Sequence, residues 1–233
     1  MQYDKIREAI FCSRPNRFIA HIQIDGRQEI CHVKNTGRCK ELLLPGAEIF
    51  VREAGDSRRK TKYDLIAVYK GAELINIDSQ VPNAVFREWV TENAVIDNIK
   101  IIKPEFKYKN SRLDFFIETE RQKILAEIKG VTLEKNGVAM FPDAPTERGV
   151  KHIYDLCEGV SEGFEAWLVF IIQMQGITYF TPNRETDPAF AEALLYAKKQ
   201  GVKIIALDCQ VTPDSIRAEN PVAVKVSPDN PGV

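Results

Sequence analysis

The chain has 233 residues, enough for one large or two modest domains, and its 44% hydrophobic and 28% charged residues are ordinary for a soluble globular protein. A net charge of −1 excludes a polycation that coats nucleic acid indiscriminately, so any phosphate-binding surface is a local patch. Five cysteines without a CxxC pair argue against a disulfide or zinc framework. The N-terminus has acidic residues and no long apolar core, unlike a signal peptide. No stretch approaches the roughly 20 apolar residues of a membrane helix, so no membrane partner is expected and the expected compartment is the cytoplasm.

Residues 1–77 predict a small β domain. Runs rich in branched and aromatic residues at 18–23, 28–33, 48–53, 63–70 and 73–77 are punctuated by Asp25-Gly26, Pro45-Gly46, Gly55-Asp56 and Gly71. Five short strands at this spacing suggest a barrel, with an OB-like barrel as one candidate. Such barrels bind single strands or oligonucleotides. Asn35, Thr36 and Arg38 lie in a polar loop suited to an anion, ahead of an expected short helix, and Arg58 and Arg59 stand in a basic hairpin tip. Both stretches also suit ordinary surface turns. Residues 1–80 carry 14 Lys+Arg against 11 Asp+Glu, and the remainder 18 against 22, which favours the front domain as the phosphate-facing one.

A second domain is expected over 78–233. Pro82 predicts a stop and Asn83 a helix N-cap, followed by a helix with Val85, Phe86, Trp89 and Val90 at helical spacing. Its polar side carries Glu88 and Glu92, either solvated or supplying one further metal ligand, Glu88 being the candidate retained.

Residues 112–118 and 123–131 predict a hairpin. With the turn at Glu120-Arg121, Asp114 faces Glu127 and Arg112 faces Lys129. Alternation puts Asp114, Glu127 and Lys129 on one face, with Leu113, Phe115, Ile117, Ile124, Ala126 and Ile128 on the other. Two carboxylates beside an ammonium suit a Mg²⁺ or Mn²⁺ ion acting on a phosphodiester. They also suit a solvated face on which acids and bases pair.

Beyond the hairpin, 137–141 suggests a short strand, and Thr146 an N-cap for a helix with Glu147, Arg148, Lys151, His152 and Asp155 on its exposed side. Arg148 and His152, four apart, share a face that could meet a phosphate. The apolar run 166–174 predicts a buried strand pairing with 177–180. A helix over 187–199, a strand over 202–207 and a peripheral proline-rich tail follow. The alternation implies α/β layers around a mixed sheet.

HVKNTGRCKELLLPG, SRLDF, EIKGVTL and FPDAPTERGVKH, in that order, together resemble the sugar fermentation stimulation protein family across essentially the whole chain. The resemblance implies an α/β chain of two domains (α+β overall), an OB-like N-terminal barrel followed by a restriction-endonuclease-like domain with a mixed central sheet. It puts Asp114, Glu127 and Lys129 at the D…ExK positions of PD-(D/E)XK nucleases. That superfamily often adds an acid on the preceding helix, where Glu88 or Glu92 stands. Leu113 replaces the motif's proline. The function implied is DNA binding with a Mg²⁺-dependent nuclease site, Asn35, Thr36, Arg38, Arg58, Arg59, Arg112, Arg148 and His152 being the candidate DNA contacts. The alternative is a non-catalytic DNA-binding regulator of sugar metabolism that uses the nuclease-like fold as scaffold. A homo-oligomer stays open.

Overall fold

A computed structural model describes residues 1–227 apart from 36, 56, 57 and 94. Strands β1 (Ile6–Asn16), β2 (Ile19–Ile24), β3 (Arg27–Val33), β4 (Glu48–Glu53) and β5 (Tyr63–Lys70) run in the order β3-β2-β1-β4-β5, and a parallel β3–β5 pairing closes them into a barrel. β6 (Glu73–Asn76) adds to β5 outside the closure. Asp25 and Gly26 both have positive φ, the geometry of a tight two-residue hairpin turn between Ile24 and Arg27. The expectation missed β1. Its register shifts at Ser13 and again before Asn16, and such bulges break the alternation by which a strand is recognised. The short helix expected after Arg38 is absent too. Residues 40–42 and 45–46 form turns instead, with the N–H groups of Leu42 and Leu43 both on the Cys39 carbonyl.

The remaining elements are α1 (Val81–Glu92), β7 (Ile101–Tyr108), β8 (Ser111–Glu118), β9 (Lys123–Val131), β10 (Leu133–Lys135), β11 (Val138–Phe141), α2 (Glu147–Ser161), β12 (Glu165–Ile172), β13 (Tyr179–Pro182), α3 (Pro188–Lys199), β14 (Lys203–Thr212), β15 (Ser215–Pro221) and β16 (Ala223–Val224). The main sheet runs β15-β14-β12-β9-β8-β7, parallel at β9–β12–β14 and antiparallel toward both edges. Central strands are buried on both faces, hence the unbroken apolar run of β12. One face packs on α1 through Val85, Phe86 and Val90. On the other, Ile153 and Leu156 of α2 and Phe190 and Leu194 of α3 join a core that continues into the barrel through Phe11, Ile22 and Val51. Each such side chain contributes about 1.5–3 kcal/mol by leaving water.

Three expectations are corrected here. β13 pairs with β11 and β16 in a second small sheet, not with β12. The proline-rich tail is structural through Val224, because β15 extends the main sheet and β16 the small one. Helix α1 begins at Val81 with Gln80 as its N-cap, so Pro82 lies inside the first turn, where proline's missing N–H costs nothing, and Asn83 is free for another role. Among the described residues, no helix is long and apolar enough to cross a membrane.

Candidate active site

The hairpin pairs in the expected register, Phe115 with Ala126 and Ile117 with Ile124, but the ladder ends at Phe115. Opposite Asp114, on β7, Glu105 has φ +53, and the β7–β8 register passes from Pro104–Phe115 to Phe106–Leu113. A left-handed residue inside a strand bends it locally. Leu113 packs in the core shared with the barrel, while Phe115 and Ile117 pack beneath α1, so these three do not share one face as alternation implied. Arg112 pairs with Lys107 of β7 and bonds Glu105 at 3.1 Å, rather than standing across from Lys129.

Asp114 bridges the gap left by the ended ladder. Its Oδ2 accepts the N–H of Ile128 at 2.8 Å and its Oδ1 accepts Asn83 Nδ2 at 3.0 Å. Burial raises its pKa above the usual aspartate range, and the neighbouring Glu127 charge raises it further.

Glu127 faces α2. Its Oε1 accepts Lys129 Nζ at 2.6 Å and bonds His152 Nδ1 at 2.5 Å, and its Oε2 is buried without a partner among the described residues. Burial would push its carboxyl up, but His152 and Lys129 outweigh it and hold the pKa below the usual range. Gly130 lets β9 approach its neighbours beside Lys129. A Cβ there would meet Gln173 Oε1 at 2.5 Å and Pro82 Cγ at 2.7 Å. Gln173 in turn donates to Asn76 and to the Asp78 carbonyl, tying the exit of the barrel to the end of β12.

The donor set fits a hard divalent cation. The Glu127 charge is felt at Asp114, and among the described residues Glu127 Oε2 has no hydrogen-bond partner. Among the described residues no group of three His, Cys, Asp or Glu could hold a metal. Asp114 and Glu127 are the carboxylates available here, and Mg²⁺ is commonly held by one or two carboxylates alongside waters and phosphates.

The other candidates fall in different places. Glu88 pairs with the N-terminal ammonium of Met1, so the α1 residue that reaches Asp114 is Asn83 instead. His152 is buried with its side chain 5% exposed, a correction to its expected place on the outer face of α2. Arg148 is exposed, with its Nε 3.5 Å from His152 Nε2. Arg59 bonds both oxygens of buried Asp64, at 2.5 and 3.0 Å, and Arg58 is exposed. Burial pushes the Asp64 carboxyl up, but Arg59 and Lys34 overcome this and hold it low.

Thr36 lies outside the described residues. Around it, Arg14 donates to the carbonyls of Asn35, Gly37 and Arg38, Asn35 Oδ1 accepts the Gly37 N–H, and Asp143 Oδ2 accepts the Arg38 N–H. The exposed Arg38 side chain opens on a groove of about 720 Å³ that Arg14, Arg17 and Lys40 also line. Arg14, Asn83 and Asp143 were missed by sequence reasoning. Each acts through a contact distant in the chain, and only Asp143, inside FPDAPTERGVKH, stood in a motif already singled out.

Compared with known proteins, residues 80–215 match the family described as "Sugar fermentation stimulation protein RE domain" and residues 12–77 the "SfsA N-terminal OB domain". A sugar fermentation stimulation protein homolog of Desulfitobacterium hafniense is 60% identical over 226 residues, covering 97% of this chain and 99% of the relative. One from Clostridium beijerinckii is 52% identical, covering 96% and 99%. The solved structure of Pyrococcus furiosus SfsA in complex with Ca²⁺ superposes with a TM-score of 0.87 at 30% identity, covering 97% of this chain and 98% of that one.

Proposed function

The chain belongs to the sugar fermentation stimulation protein family, and we propose that it is a DNA-binding protein with a Mg²⁺- or Mn²⁺-dependent phosphodiesterase site at Asp114, Glu127 and Lys129. The observation that carries the reading is the Glu127 carboxylate beyond the end of the β8–β9 ladder, bonded by Lys129 Nζ, its charge felt at Asp114, with Oε2 buried and without a partner among the described residues. The Ca²⁺ held by the Pyrococcus relative supports it.

Asp114 and Glu127 would hold the cation, which supplies charge stabilisation at the scissile phosphate and lowers the pKa of a bound water. Lys129 places its Nζ beside Glu127 Oε1, where an attacking water or a phosphate oxygen can accept from it. Asn83 and the Ile128 N–H fix the Asp114 carboxylate. Arg38, with Arg17 and Lys40, supplies a local cationic patch on a chain of net charge −1, and phosphate contacts of this kind bring steep salt dependence.

A second reading, a DNA-binding regulator of sugar metabolism with a silent site, is favoured by the lack of a third acidic ligand among the described residues. Calorimetric titration with Ca²⁺ tests the first reading. Wild type should bind and Asp114→Ala should lose at least ten-fold in affinity; equal binding by both would remove Asp114 from the site.

A further inference from the structure

His152 is a nearly buried imidazole at the centre of this network, and nothing in the functional reading above requires it. Its Nδ1 lies 2.5 Å from Glu127 Oε1, and its Nε2 faces Arg148 Nε at 3.5 Å. A guanidinium nitrogen can only donate, so the imidazole nitrogen facing it is best left as an acceptor. The proton then sits on Nδ1 and points at the carboxylate. Lys129 Nζ converges on the same Oε1, so both donors hold one oxygen of Glu127 and leave Oε2 without a partner among the described residues. His152 itself is too buried to meet a DNA phosphate.

We infer that His152 is a positioning residue for Glu127. Its Nδ1–H pins Oε1, and Arg148 fixes the tautomer, so that Oε2 is committed to the cation. This rests on the cation site of the proposed function. It adds a residue on α2 that acts through Glu127, in the way that hydrogen-bond partners orient metal ligands elsewhere.

The test compares His152→Asn, His152→Gln and His152→Leu in the full chain. An asparagine amide can place its donor where Nδ1 stands, a glutamine places it farther out, and leucine has none. Calorimetry with Ca²⁺ should find His152→Asn within about three-fold of wild type, and His152→Gln and His152→Leu weakened about 10- to 100-fold. Equal affinity in all four proteins overturns the inference. If His152→Leu does not fold, the Asn and Gln variants still decide it.

A second readout needs no cation. Imidazole ¹⁵N NMR should show a proton on Nδ1 alone, with its resonance moving upfield in Glu127→Gln. A proton on Nε2, or an Nδ1–H resonance indifferent to Glu127→Gln, contradicts the inference. If wild type binds no Ca²⁺, the cation site fails, while the NMR result still decides whether His152 orients Glu127.

Discussion

Asp143 Oδ2 accepts the backbone N–H of Arg38 at 2.9 Å, fastening the polar loop of the barrel to the turn that leads into α2. The two are 105 residues apart, and they bring the cationic groove and the second domain into one surface. Asp143→Ala should cost about 1 kcal/mol of stability through the lost bond and weaken DNA binding several-fold by releasing the loop. Thermal unfolding and fluorescence anisotropy with labelled DNA check this. Unchanged affinity would separate the loop from DNA binding.

Arg38→Ala should weaken DNA binding with little effect on stability, and should flatten the slope of log affinity against log salt by about one. Arg59→Ala should behave in the opposite way. It withdraws two charge-assisted bonds from buried Asp64, so about 1–3 kcal/mol of stability should be lost while the salt slope is kept. A titration series at several salt concentrations, paired with urea unfolding, distinguishes the two.

Gly130→Ala should destabilise by about 1–3 kcal/mol, because the added methyl meets a proline ring and a buried glutamine rather than open space. The strain falls beside Lys129. Activity should therefore drop by more than the fraction unfolded explains, and urea unfolding beside a rate measurement checks it.

Asp114 gives a pH signature. Its folded pKa is raised above 3.8, by burial and then by Glu127, so the folded state binds the proton more tightly than the unfolded chain does. Stability contributed by this group is present below the unfolded pKa and is lost as pH rises through the folded one. Above that pH the ionised Asp114, buried beside Glu127, is a standing cost, and a bound cation should offset it. Unfolding curves across this range, with and without Ca²⁺, should show the ion stabilising most at the high-pH end. Equal stabilisation at both ends would contradict it.

Much of the architecture was legible because it rests on local rules. The Phe115–Ala126 register followed from branched residues on both sides of one polar turn, Thr146 caps α2 as expected, and the helix expected over 187–199 is α3, with Asp187 as its N-cap. β1 was hidden by its bulges. β7 was hidden by Pro104, left-handed Glu105 and an exposed face that carries three lysine and glutamate side chains between its apolar residues. Asp114, Glu127 and Lys129 stood out by residue type, but their partners did not. Whether Arg148 and His152 point into water or into the sheet depends on how α2 is rotated over β9, which helical spacing alone leaves undetermined. Glu88 was a reasonable acid on the right helix, and the chain's own N-terminus takes it.

The measurement that bears most directly on the central claim is cleavage of labelled single- and double-stranded DNA in Mg²⁺ or Mn²⁺. Wild type would be compared with Asp114→Asn, Glu127→Gln and Lys129→Ala, each first shown to be folded and to bind DNA. Cation-dependent cutting by wild type, reduced at least 100-fold in each variant, is the predicted result. DNA binding without cutting, or cutting that survives all three substitutions, would contradict a phosphodiesterase site at these residues.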